Sequence, residues 1–130
     1  MWFVPGLSGV AAAATGGFVE PDVRTLWVTE QTGTYFGWAV ADVEDIDGDG
    51  VSEVITGDPY VGGTSGSTVV LSGATGVERF HVDGAAGSYE GFAIASAGEQ
   101  DGDGLHDVVS GAPGIDAAIV YAGDDFAVLR

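Results

Sequence analysis

Two short stretches, DIDGDGVSE at 45–53 and EQDGDGLHD at 99–107, each place four carboxylates within nine positions. Acids at positions 1, 3 and 5 of a tight turn converge on one point, and glycines at 4 and 6 let the backbone curl around it. Left bare, such a point is strongly repulsive, and a hard divalent cation with oxygen ligands is its natural occupant. Calcium suits a flexible loop with many oxygens better than magnesium, which demands a near-ideal octahedron. In the first loop the expected ligands are Asp45, Asp47, Asp49, the carbonyl of Val51 and the carboxylate of Glu53. In the second they are Glu99, Asp101, Asp103, the carbonyl of Leu105 and Asp107. Two Ca2+ sites per chain are therefore expected. Glu99 is the weaker choice at position 1, because its longer side chain must fold back to reach the ion.

An EF-hand closes with a bidentate Glu at position 12 and is flanked by helices. Position 12 here is Thr56 or Ser110. The acid at position 9 instead describes a shorter loop that joins two strands. The simpler alternative is an Asp/Gly turn that binds nothing, since both residues are ordinary turn formers. Two loops at one spacing, each with acids at 3, 5 and 9, favour the metal.

The loops belong to a repeat. Residues 33–60 lie over 87–114 without a gap, and 12 of the 28 positions are identical, including Gly33, Tyr35, Gly37, the whole DGDG, Gly57 and Pro59. Farther on, STVVLSG matches AAIVYAG only if four loop residues are missing from the second copy, and loops tolerate such differences. Within each copy FGWAVADV, SEVITG, STVVLSG and ERFHV are rich in Val, Thr and aromatics and are separated by Gly, Asp and Pro, so they read as short strands. The alanine run at 11–14 is too short to stand as a helix. Four strands per unit of about 54 residues is the arithmetic of a propeller blade. MWFV or LSG at 7–9 and TLWV at 25–28 read as strands of a preceding unit, and FAVL at 126–129 as the last strand of the second. The divisions are 1–30, the end of a preceding blade; 31–84, the first repeat; and 85–130, the second.

Composition narrows the function. Twenty Asp and Glu stand against three arginines and no lysine, a formal net charge of -17. A surface for phosphate or nucleic acid is excluded by that balance. The charge fits proteins that work in concentrated salt, which screens it, and it also fits an acidic extracellular protein in ordinary medium. No cysteine is present, so disulfides and thiolate metal sites are excluded while the compartment stays open. The first 17 residues are apolar but lack a basic region and contain Pro5, a poor secretory signal. No run of about 18 apolar residues occurs, so membrane insertion by a helix is not expected. Catalysis is not expected either: there is no Gly-x-Ser-x-Gly elbow, zinc-ligand cluster or phosphate loop, His81 and His106 fall on different parts of the repeat, and the carboxylates are claimed by the metal. Trp27, Phe36, Trp38, Phe80 and Phe92 read as filling between blades rather than as a stacking platform for a ligand.

The order YFG at 35–37, acidic loop, GDP at 57–59, with GAP at 111–113 in the second copy, resembles the FG-GAP repeat of the integrin α-subunit propeller over roughly residues 24–124. Glu90 stands where that family has Phe, and Asp58 where it has Ala. The resemblance implies an all-β fold of FG-GAP-type β-propeller blades, four antiparallel strands each. About two to two and a half blades fit this chain, an incomplete propeller. It further implies structural calcium, cell adhesion or protein recognition as the function, a protein or cell-surface ligand as partner, and an extracellular or cell-surface location. The alternatives are the non-catalytic propeller portion of a secreted lyase or phospholipase, or a self-assembling scaffold whose copies close a ring together.

Overall fold

The computed structural model describes residues 26–31 and 34–129. The expectations for MWFV, LSG and the alanine run lie outside the described residues. Leu26–Val28, expected in a strand, are not in one. The chain divides at Glu30/Gln31, and everything below concerns the part from Gln31 onward.

This part is all-β. β1 (Ala39–Val43), β2 (Glu53–Asp58), β3 (Ser67–Leu71) and β4 (Glu78–Asp83) form one antiparallel sheet in chain order. β5 (Ala93–Gly98), β6 (Asp107–Ala112) and β7 (Ala117–Tyr121) form a second, three-stranded one. The sole helical piece among the described residues is the 3-10 turn Pro113–Ile115. No helix among the described residues is long and apolar enough to cross a membrane.

The strands lie where Val, Ile and Thr cluster, and each begins or ends where glycine or proline interrupts the run. Gly37, at φ 90, delays β1 until Ala39 although the apolar run begins at Phe36. Alternation then sorts the faces. Ala41, Ile55, Val70 and Phe80 form one cross-strand row of the first sheet. With Val43 and Val82 they pack against Ile94, Val108, Ile119, Tyr121 and Phe126 of the second repeat. Burying each large aliphatic side chain in that layer contributes roughly 1.5–3 kcal/mol. At Gly57 the two sheets come so close that a Cβ would fall onto the carbonyl oxygen of Gly91, so no other residue fits there.

The stacking is head to tail. Ala95, Val109 and Val120 are the repeat equivalents of Ala41, Ile55 and Val70, yet they lie on the face of the second sheet that turns away from the first. Ala93, Ala95, Val109, Gly111, Ala118 and Val120 on that face are exposed or half-buried and carry no charge.

At FAVL the described residues reach only the opening pair of the expected fourth strand, at the place where Glu78 pairs with Leu71 in the first repeat. Val128 makes one isolated bridge to Tyr121, and the Leu129 N–H donates to the Val120 carbonyl. The preceding turn has the same form in both repeats. Gly76 N–H donates to Ser72 O in the first repeat, and Phe126 N–H donates to Ala122 O at the equivalent place in the second. Gly76 takes φ 73 at no steric cost, whereas Phe126 is held at φ 60, a conformation that costs a non-glycine residue about 1–2 kcal/mol. Burial of its ring offsets the strain. Phe126 lies parallel to both Phe80 and Tyr121, with centroids 5.1 Å away in each case.

Two sequence expectations about side chains need correction. Trp38 and Phe92 do not fill the space between sheets: they are 48% and 40% exposed and touch each other. They belong to a chain of ring contacts running through Tyr35, Trp38, Tyr60, Tyr89 and Phe92. This cluster sits where β1 and β5 begin and β2 ends, at the opposite end of the strands from the acidic loops. Glu90, in contrast, is buried. Its Oε1 accepts hydrogen bonds from the Thr68 hydroxyl (3.1 Å) and the Tyr121 hydroxyl (3.0 Å), and Thr68 also pairs with Ser110 (2.8 Å). Burial, with the charge and hydrogen bond of Glu90, pushes the Tyr121 phenol up, so Tyr121 stays a donor. A polar knot thus replaces the aromatic packing that the resemblance implies at this position.

Candidate metal centre

Both acidic loops lie between the first two strands of a sheet, at the same end of the molecule. The first joins β1 to β2. Its turn is set by Gly48 and Gly50, at φ 82 and 87, which aim successive N–H groups inward. The Asp45 carboxylate collects three of them: Gly48 (2.6 Å) and Asp49 (3.1 Å) on Oδ1, and Gly50 (2.7 Å) on Oδ2. These donors, led by Gly50, hold the Asp45 carboxyl below its ordinary range. Asp47 Oδ1 accepts from Asp49 N–H and Asp49 Oδ1 from Val51 N–H. These bonds fix the turn.

Glu53 closes the loop from the start of β2, and it is the decisive residue. Its side chain is fully buried. Oε2 accepts the Ile46 N–H at 2.7 Å, while Oε1 has no partner. A buried carboxylate oxygen without a partner is costly. Desolvation, and then the charges of Asp47, Asp45 and Asp49, push the Glu53 pKa up. One carboxylate oxygen from each of Asp45, Asp47, Asp49 and Glu53 lies within 4.8 Å of the others. Four carboxylate oxygens around one point, with a dry, unpaired oxygen on one of the four residues, have the donor chemistry of a hard cation's coordination shell.

Arg79, on β4 at the far edge of the sheet, reaches this loop: its Nε is 3.4 Å from Asp47 Oδ2. It is the one Arg or Lys among the described residues.

The second loop joins β5 to β6 and is built on Gly102 and Gly104, at φ 92 and 88. Glu99 does fold back, accepting the Gly102 N–H on Oε1. Asp101 accepts from Asp103 N–H and Asp103 from Leu105 N–H. Asp107 is fully buried like Glu53, but both of its oxygens are engaged: Oδ2 accepts from Gln100 (2.7 Å) and Oδ1 from Gly123 (2.9 Å). Glu99, Asp101 and Asp107 form the oxygen cluster here; Asp103 stands outside it. The N–H of Asp103 pulls the Asp101 pKa down, but desolvation and the charges of Asp103, Asp107 and Glu99 outweigh it, and the net direction is up. His106 points across to the first loop, with Nε2 3.2 Å from Glu44.

Of the ten ligands expected from the sequence, seven acids are gathered into these two clusters. The backbone of Val51 and Leu105 enters the turns by donating to Asp49 and Asp103. Sequence reasoning missed the Arg79 contact, which bridges residues far apart in the chain. It also missed the second partner of Asp107, since Gly123 is 16 residues away.

No protein-family model matches the chain, and no match is found among curated proteins.

Proposed function

We propose that this chain is a calcium-binding repeat module whose ions are structural, and that it serves adhesion or protein recognition outside the cell. The observation that carries the calcium reading is the unpaired, fully buried oxygen of Glu53 beside three further carboxylates. A calcium ion there would take oxygens from Asp45, Asp47, Asp49 and Glu53, cancel the repulsion among them, and tie the first hairpin to the body of the sheet. A second ion at Glu99, Asp101 and Asp107 would do the same for β5 and β6. Folding is then coupled to ambient calcium, because the ion binds the folded loop and not the unfolded chain.

The blade reading is supported by the head-to-tail stacking of two meander sheets and by the charge-free outward face of the second. In this reading the sheets are blades of the FG-GAP type, and the outward face is where a further blade belongs. The chain acts as a scaffold and not as an enzyme.

The test is a calorimetric calcium titration of metal-stripped protein at high salt, where general screening is already satisfied. Two sites per chain with a raised melting temperature are expected. Absence of both heat and thermal shift would reduce the loops to acidic turns.

A further inference from the structure

Arg79 pairs with Asp47 of the first loop. In a chain of charge -17 the lone described guanidinium has many exposed acids to choose from. It instead reaches from the edge strand β4, past β3 and β2, to a carboxylate only 10% exposed that belongs to the first oxygen cluster. Asp47 Oδ1 is already held by the Asp49 N–H. Oδ2, the oxygen facing Arg79, is therefore the one left for a metal. A guanidinium and a divalent cation cannot share that oxygen at close range without like-charge repulsion.

From this geometry we infer that Arg79 is a built-in competitor for the cation of the first loop: a tethered positive charge that occupies Asp47 in the metal-free protein and is displaced on loading. The inference rests on the reading of that loop as a calcium site and adds the residue that tunes it. Arg suits the role because it stays charged at every working pH. Its pairing with a half-exposed side chain is weak enough for calcium to break. The second loop has no counterpart: no Arg or Lys among the described residues contacts it, and its basic neighbour His106 turns toward Glu44. The first loop thus combines the better ligand set with a brake, so that the two loops can fill over closer calcium concentrations than their ligands alone would set.

The test follows calcium binding loop by loop in the full chain through the amide signals of Gly48 and Gly50 on one side and Gly102 and Gly104 on the other. Arg79→Gln is expected to tighten the first loop by about three- to tenfold and to leave the second within about twofold. In wild type the Arg79 Nε–H signal should move in step with Gly48. In an Asp47→Asn background the same Arg79→Gln change should lose its effect. Unchanged or weaker binding in Arg79→Gln would overturn the inference, because the arginine would then be positioning Asp47. Equal tightening with and without Asp47 would overturn it too, by reducing Arg79 to a general charge. If wild type shows no saturation at Gly48 and Gly50, the calcium reading itself fails, a result distinct from either of these.

Discussion

The two acidic loops share a spacing and a turn, yet they treat their closing acid in opposite ways. Glu53 and Asp107 are equally buried at the first position of the second strand. Glu53 gives one oxygen to the Ile46 N–H and leaves the other unpaired; Asp107 gives one to Gln100 and the other to Gly123. Both nevertheless place an oxygen in the cluster of their own loop. A closing acid can therefore keep an oxygen unpaired beside its cluster, as Glu53 does, or staple a neighbouring turn from within it, as Asp107 does.

That contrast can be broken at either residue. The largest effect is expected from Glu53→Gln, which should weaken calcium at the first loop by more than about a hundredfold, beyond the loss of an outer-shell partner; calorimetry checks it. Asp107→Ala should leave first-loop affinity nearly intact but destabilise the metal-free fold by about 2 kcal/mol, since it strips the buried Gly123 N–H of its acceptor, and should cost more in calcium, since it also removes a second-loop ligand. Thermal melts with and without calcium would separate the two losses.

A pH series sharpens the comparison. Burial and neighbouring charge raise the folded pKa of Glu53 above its ordinary 4.5, so the folded state binds more protons than the unfolded chain in the window just above that value. Its contribution to metal-free stability is fully present below 4.5 and is lost as pH rises through the folded pKa. Denaturant melts of stripped protein should show that decline in wild type and a smaller one in Glu53→Gln, with added calcium reversing the sign. The smallest effect belongs to Asp103→Asn, outside the second cluster, which should change stability by no more than about 0.5 kcal/mol in a urea melt.

Much of this was legible in the sequence for physical reasons. Turn glycines, β-branched runs and the doubled DGDG are local features, and local chemistry placed seven strands and the seven clustered acids. What escaped depends on groups distant in the chain. Nothing near Asp107 announces Gly123, and nothing near Asp47 announces Arg79. Trp38 and Phe92 look like core residues until the sheets are seen to pack through Ile55, Val70 and Val108 instead. FAVL has strand composition, but nothing in it announces that Phe126 takes the left-handed place of Gly76. The calcium-loop pattern was sound as a spacing; it carried no information on which closing acid would be left unpaired.

The knot at Glu90 bears on how such a chain can change over generations. Its carboxylate belongs to the second repeat, while the hydroxyl of Thr68 that meets it belongs to the first. The two copies, though descended from one pattern, have become complementary parts and are no longer interchangeable cassettes. Duplicating the second copy in tandem would set Glu90 against Ala118, the equivalent of Thr68, which has no hydroxyl to offer. Lengthening this protein by simple repetition would therefore require a compensating change at that junction, and a longer relative should carry a matched pair of residues there.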